Sequence, residues 1–428
     1  MAKKIVTHRE KKIVLENFIS LTTLQGMSYL LPLAILPYLI RVIGMEKFGL
    51  IAFAQSLVQY FMILTDYGFS LSATRKISLI GEHKEKVSAI FSSVMTVKLM
   101  LAGLSFLALC ALLYFVPKFR NDWPVYLLSF GAVIGNTLFP VWFFQGKEKM
   151  SYITVINVIA GVTYAILIFV FIKSPGDYLL VPLLNSLVLI TSGIWALYIA
   201  FRKFRLEFIL QKYTDIRKEF KTGWDIFISI LSVNAYTTTR IFAVGLFTNN
   251  LLTGYYSLAE RIANVIQSFP MNSFSQAVFP RISKVFTKNK QRAVAIMYRI
   301  QDKITLGFVI SLPIAALIAP WLISLACGAA YKEVVLTLRL LLMAVFFVGA
   351  NAFKVQFLLV CGKPDLYAKI HIAAAITGLP LIFILIYLYS YLGAAFSTVL
   401  TEAGVFILTS LIVDNLAKKI TKKLSPSN

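Results

Sequence analysis

Acidic residues are in short supply in this chain. Asp and Glu number 19 against 42 Lys and Arg, and the four charged types make up only 14% of its 428 residues. A water-soluble domain carries about 25%, so composition argues against a soluble globular fold. Histidine is scarcer still. His8 and His83 sit in polar connections and His371 stands alone in an apolar stretch, so no metal-ligand cluster can be assembled. A phosphate-binding glycine loop and a nucleophile elbow are also missing, as is any sizeable loop rich in acids, which argues against an enzyme. Nothing resembles a re-entrant selectivity filter, which argues against a channel. Cys110, Cys327 and Cys361 all lie in apolar segments with no CxxC pair, so they read as small core residues outside any disulfide framework. No metal or organic cofactor is expected.

What is abundant is apolar surface. Hydrophobic residues make up 58% of the chain, and the mean hydropathy is +0.78. Twelve apolar stretches can be marked: 17–40, 48–71, 88–116, 123–145, 151–172, 178–201, 223–247, 251–279, 304–327, 333–360, 366–388 and 391–414. Each is long enough for a helix crossing a hydrocarbon core about 30 Å thick, and short alternating strands of a barrel are not seen. The basic start MAKKIVTHREKK precedes an apolar run too long for a signal-peptide core, so a retained first helix is expected. Alternate connections differ sharply in charge: thirty Lys and Arg fall in one set and six in the other. The positive-inside rule then places both termini in the cytoplasm and accounts for most of the formal net charge of +23 without a nucleic-acid partner. Trp123, Trp142, Trp195, Trp224 and Trp321 lie towards span ends, where an interfacial belt is expected.

The chain echoes itself. GLIAFAQ from Gly49 matches GYYSLAE from Gly254, and QGKEKMSYI matches CGKPDLYAK with Gly146-Lys147 on Gly362-Lys363. The reading is two six-helix lobes, 1–201 and 223–414, joined by a basic linker at 202–222 and followed by a basic tail at 415–428. Six is even, so both lobes enter the membrane the same way round, related by an axis along the membrane normal.

Six cations remain inside the spans: Lys98, Arg240, Arg261, Arg339, Lys354 and Lys369. Lys369 lies near a span end and can snorkel. Glu260 and Arg261 lie about nine residues into the eighth span, roughly 14 Å deep at 1.5 Å per residue. Ser257, Glu260, Asn264, Gln267, Met271 and Ser275 share one helical stripe, and Gln55, Gln59, Met62 and Asp66 share one on the second span. A charge facing lipid at that depth costs about 2.5–3.5 kcal/mol, so these stripes should face a wet cavity or a polar helix. Structural pairing between helices serves as well as cargo binding at any one position. Apart from Lys369, five cations face Asp66, Glu260 and Glu402, which favours an anionic cargo. Arg261, Arg240, Lys98, Arg339 and Lys354 are the candidate cargo-binding cations. Gln55, Gln59, Asn264 and Gln267 are the candidate cavity lining, and Glu260, Asp66 and Glu402 the candidate ion-coupling acids. Pro32 and Pro37 are placed to bend the first span, and Pro270 the eighth.

Three motifs carry a family resemblance. PVWFFQGKEKM resembles the WFFQG-x-E-x-M signature of Wzx-type (RfbX) O-antigen flippases. DYGFSLSATRKIS and LPYLIRVIGMEKFGLIAFAQ are similar to two further patterns of that family. The resemblance is concentrated in residues 17–160. It implies the multidrug/oligosaccharidyl-lipid/polysaccharide exporter (MATE-like) fold: an all-α inner-membrane protein with two six-helix lobes around a central cavity, working by alternating access. The implied cargo is an undecaprenyl-pyrophosphate-linked oligosaccharide moved from the cytoplasmic to the periplasmic leaflet. H⁺ or Na⁺ is the expected coupling ion, and membrane lipids and polysaccharide polymerase or assembly proteins are the expected neighbours. The competing readings are a drug or metabolite antiporter of the same fold and a non-transporting membrane scaffold.

Overall fold

The computed structural model describes residues 8–81 and 83–422. The outermost parts of the two expected cytoplasmic ends, and the side chains of Pro32, Pro270 and Ser275, lie outside that description. Among the described residues every regular element is helical. In order, they are α1 (His8–Asp66), α2 (Phe69–Ile80), α3 (Lys84–Phe115), α4 (Pro117–Arg120), α5 (Trp123–Leu138), α6 (Val141–Gly146), α7 (Met150–Phe171), a 3₁₀ turn (Pro175–Leu179) and α8 (Leu180–Lys203). There follow α9 (Tyr213–Thr237), α10 (Thr239–Phe247), α11 (Asn250–Lys288), α12 (Lys290–Cys327), α13 (Lys332–Val360) and α14 (Pro364–Lys422).

Each of the twelve apolar stretches is mainly helical and a chain break separates it from the next, but 48–71, 123–145 and 223–247 are also broken within, at Tyr67–Gly68, Phe139–Pro140 and Thr238. Gly44 (φ 81°) interrupts α1 and Ser390 (φ 54°) interrupts α14, so each of these long helices contains two stretches. Eight helices among the described residues are long and apolar enough to cross a membrane. The stretches 223–247 and 251–279 fall outside that set; α9 and α11 are rich in polar residues, and α10 is apolar but only nine residues long. Large apolar side chains such as Leu107, Leu317, Ile376 and Leu411 are more than half exposed. Water would not tolerate that many, whereas lipid does, and the chain is a multi-pass membrane protein.

Contacts divide the chain into two compact units, Met1–Leu231 and Ser232–Asn428. The boundary lies inside α9 rather than across 202–222, because that basic segment is stitched to the first unit. The amides of Glu207 and Ile209 donate to Ser88 and Ser92 on α3 (3.2 and 2.9 Å), and Ser93 donates to Gln211 at 2.5 Å. Lys84, 2.5 Å from Glu207, holds that carboxyl below its usual range.

In the first unit, α5 packs on α8 through small residues. Gly131 and Gly135 form a GxxxG pair: a Cβ at Gly135 would lie 2.5 Å from the Leu189 backbone, and one at Gly193 only 2.8 Å from the Gly135 carbonyl. At one end, the two sequence motifs bind each other. A Cβ on Gly146 would lie 2.8 Å from Ile77, Thr74 Oγ1 lies 3.1 Å from the Trp142 carbonyl, and Lys147 donates to Gly81 at 2.6 Å. Tyr67 and Gly68 turn the chain with positive φ (46° and 76°), and Tyr67 stacks on Phe227 of α9 at 4.7 Å. Lys76 pairs with Glu219 at 2.6 Å. The charge-rich segments 72–87, 146–150 and 202–222 thus gather at one end. At the other, Tyr38 donates to the Ile172 carbonyl at 2.6 Å and Lys47 sits over the Tyr178 ring.

Two expectations are corrected here. Trp142 is not interfacial: it is 1% exposed and packs against Phe91 at 5.5 Å, inside an aromatic core. Cys110 is exposed, leaving Cys327 as the buried thiol.

The repeat is visible in hydrogen bonds. Glu148 donates to the Gln145 carbonyl and Lys149 to the Phe144 carbonyl; Gly362 and Lys363 donate in the same way to Leu359 and Leu358. Both turns are Schellman caps, with the left-handed residue at Glu148 (φ 56°) and Gly362 (φ 67°). Glu148 therefore corresponds to Gly362, two residues out of register with the Gly-Lys match read from the sequence. Nothing lies within 4 Å of a Cβ built on Gly362, so substitution there meets only backbone strain. Gly362→Ala should lower stability by about 1–2 kcal/mol, measured as a reduced Tm in detergent, with Gly404→Ala as the control at a glycine of ordinary φ and open surroundings.

Candidate functional site

Buried charge in the second unit is organised around Arg240, near the start of α10. The run of Thr237, Thr238 and Thr239 ends α9 and begins α10, which sets Arg240 against α14. Its guanidinium lies 3.1 Å from Glu402, and both side chains are mostly buried (12% and 14% exposed). Glu260 on α11 is 8% exposed, accepts from Tyr256 at 3.3 Å, and lies within the field of Arg240 and then Arg261. Tyr236 extends the cluster: its ring lies under Arg240, and its hydroxyl is 3.0 Å from His371 Nδ1. His371, alone in the sequence, is thus part of a polar chain that also includes Tyr367, 4.4 Å away ring to ring. The polar stripe of α11 is not uniform. Ser257 is fully buried, Glu260 faces its own unit, Gln267 and Met271 are half-buried, and Asn264 is exposed. Arg261 is half-buried beside Glu260.

Two other cations serve the backbone. A proline inside a helix leaves the carbonyl four residues earlier without its helical donor. Pro320 does this to Ala316, and Arg339 Nε donates to that carbonyl at 3.1 Å. The Asn136 carbonyl lacks a helical donor for another reason, because it lies in the last turn of α5, which ends at Leu138; Lys98, 2% exposed, points Nζ at it (3.4 Å), with Asp66 as the acid acting on it. Arg339 is exposed. Lys354 belongs to a third group, 3.1 Å from Ser410 and 3.5 Å from Asp414, which also accepts from Tyr298 at 2.5 Å. Lys369 is exposed near the start of α14, as snorkelling requires.

Gln301 was not singled out from the sequence. It is 3% exposed, its amide nitrogen donates to the Gly349 carbonyl (2.9 Å), and its oxygen accepts from the Phe353 amide (3.0 Å). A single side chain thus spans both ends of one helical hydrogen-bond position in α13. The equivalent residues of the first unit are Gly135 and Phe139, where the chain breaks before Pro140.

The candidate lining residues of the first unit do come together. Gln55, Gln59 and Met62 line a cavity of about 220 Å³ with Ser129, Pro182 and Asn185. Ser129 and Asn185 were missed; each lies in a strongly apolar span and stands out only once the helices are assembled. The cations do not converge on this cavity: Lys98 points to Asn136, and Arg240, Arg261, Arg339 and Lys354 belong to the second unit. Among the described residues no cluster of His, Cys, Asp and Glu can hold a metal ion.

An all-helical membrane chain with charges buried and paired inside each unit has the build of a transporter, and the fold agrees. It matches the inward-facing conformation of a multidrug resistance MATE family transporter of the MOP superfamily with a TM-score of 0.73 and 13% identity, covering 92% of this chain and 96% of that one. It matches the lipid II flippase MurJ, in an inward closed conformation, with a TM-score of 0.71 and 14% identity, covering 95% and 89%. This is the fold of the MOP superfamily. The sequence narrows the class: it matches the family described as polysaccharide biosynthesis protein over residues 14–286, and the chain belongs to that family. Among curated proteins, it is 31% identical to the putative O-antigen transporter of Escherichia coli strain K12 over 93% of this chain and 96% of that one. It is 28% identical to the putative O-antigen transporter of Shigella dysenteriae over 90% and 96%.

The proline-linked arginine can be tested by a double-mutant cycle. Arg339→Met should cost about 1 kcal/mol more in the Pro320 protein than in Pro320→Ala, where the residue-320 amide can take over the Ala316 carbonyl. Thermal unfolding in detergent of the four proteins reads the coupling, and additive effects would contradict the assignment.

Proposed function

We propose that the protein is a flippase for a lipid-linked polysaccharide precursor. Its cargo is an undecaprenyl-pyrophosphate-linked oligosaccharide, an O-antigen or related repeat unit, carried from the cytoplasmic to the periplasmic leaflet of the inner membrane by alternating access. The termini face the cytoplasm in this reading, and polymerase or assembly proteins receive the product. The observation that carries it is the end-to-end similarity to proteins named as putative O-antigen transporters. The polar cavity of the first unit supports it in detail, because Gln55, Gln59, Ser129 and Asn185 offer amide and hydroxyl partners to sugar hydroxyls. Its size suits one sugar rather than a whole repeat unit.

In this reading Arg261, half-buried on α11 beside Glu260, is the cation that meets the pyrophosphate, because an arginine fork suits phosphate oxygens. Arg240, Lys354, Lys98 and Arg339, which lie against Glu402, Asp414 and two helix carbonyls, are the other cations of the expected site. Arg261→Ala, at normal membrane levels, should strand the lipid-linked repeat unit in the cytoplasmic leaflet as the gene deletion does, and Arg261→Lys should restore part of the flux. Full rescue by Arg261→Ala would remove this residue from the cargo site.

Coupling to H⁺ or Na⁺ is assigned to Glu260 and Glu402, with Asp66 as the acid of the first unit. Two carboxylates sharing the field of Arg240 can exchange an ion-pair partner for a proton or Na⁺. Flux in proteoliposomes should fall at least tenfold in Glu260→Gln and lose its response to the driving gradient. Wild-type flux that ignores both H⁺ and Na⁺ gradients would sink the coupling.

A further inference from the structure

A large cavity that none of this uses lies in the second unit, at the end where α11 finishes, α12 begins, α13 turns into α14, and α14 runs out. Its volume is about 1080 Å³. Lys288, Lys290, Lys363 and Lys419 line it, from three separate parts of the chain, and no carboxylate does. None of the four forms an ion pair among the described residues. Asn289 fixes the corner between α11 and α12: its backbone amide closes the last turn of α11 on Val285 (2.8 Å), and its side chain caps α12 through the Arg292 amide (2.8 Å). The start of α12, with the positive end of its dipole, therefore faces the lysines. Phe286, Leu416 and Ile420 supply an apolar wall.

Four exposed lysines with no carboxylate among the residues lining the cavity make an electropositive mouth, Lys290 lying also over the Phe286 ring, and an anion seated among them relieves their mutual repulsion. An apolar wall beside them distinguishes a phosphate carried on a lipid from a phosphate free in water. We propose that this pocket binds a lipid-borne phosphate, its oxygens held by Lys288, Lys290, Lys363 and Lys419 and the first part of its chain lying against Phe286, Leu416 and Ile420. The source is a bilayer phospholipid headgroup or a polyprenyl phosphate, which share this chemistry. The site is separate from the polar cavity of the first unit and from the Arg240 cluster, and does not depend on the cargo proposed above.

The test uses the full-length protein in neutral detergent and measures binding by thermophoresis. The probes are dioctanoyl phosphatidylglycerol, farnesyl pyrophosphate, dioctanoyl phosphatidylcholine and inorganic pyrophosphate. The variants replace all four lysines by Gln, or all four by Arg. Phosphatidylglycerol or farnesyl pyrophosphate should bind wild type at least tenfold more tightly than phosphatidylcholine and inorganic pyrophosphate. The Gln variant should lose that binding and the Arg variant keep it. Whichever of the two favoured probes binds more tightly names the source. Inorganic pyrophosphate binding as tightly as either would reassign the pocket to a soluble anion and overturn the proposal, as would phosphatidylcholine matching phosphatidylglycerol and farnesyl pyrophosphate. If the Gln variant does not fold, the wild-type ranking of the four probes still decides. Binding unchanged in a folded Gln variant also overturns it.

Discussion

A bilayer interior supplies no water to backbone carbonyls or to charges, so each must find its partner within the protein. That constraint organises most of what is buried here. Where Pro320 deprives the Ala316 carbonyl of its helical donor, an arginine arrives from a neighbouring helix, and a lysine reaches the Asn136 carbonyl in the last turn of α5. Where Arg240 enters the second unit, Glu402 meets it. At Gln301, one amide donates and accepts at the two ends of a single turn of α13. Cations that look alike in sequence thus divide into those that complete the backbone and those that lie beside a carboxylate.

The two units reach the same local geometry with different residues. The cap after α6 and the cap after α13 have the same pair of backbone hydrogen bonds, yet one places glutamate and the other glycine in the left-handed position. The helix interrupted at Phe139 by the following proline corresponds to one kept continuous at Phe353 with a glutamine beside it. Backbone geometry has outlasted residue identity, so the register of the repeat is better read from hydrogen bonds than from matching letters.

Much of the architecture was legible in advance because hydropathy reports directly on burial in lipid. The twelve stretches, the breaks between them and the grouping of basic segments at one end of the first unit all follow from it. The family motifs were legible too, and the structure supplies their physical purpose: WFFQG and DYGFSLSATRKIS lie at helix ends because each is the other's docking surface. The site was much less legible. Helical periodicity places Glu260 and Asn264 on one stripe, but α11 is buried at its start and exposed further along, and only assembly reveals that difference. A count of buried cations does not register that the Ala316 carbonyl, four residues before Pro320, is served by Arg339. Trp142 was misread for a related reason: position near a span end does not reveal whether neighbouring aromatic rings already enclose it.

The pairing of Arg339 with the carbonyl before Pro320 makes the two residues one unit. Removing the proline gives the Ala316 carbonyl back to its own helix and releases the arginine. Removing the arginine alone takes away the side chain that serves that carbonyl in a place where no water replaces it. The bend of one helix is thus written partly in the sequence of its neighbour.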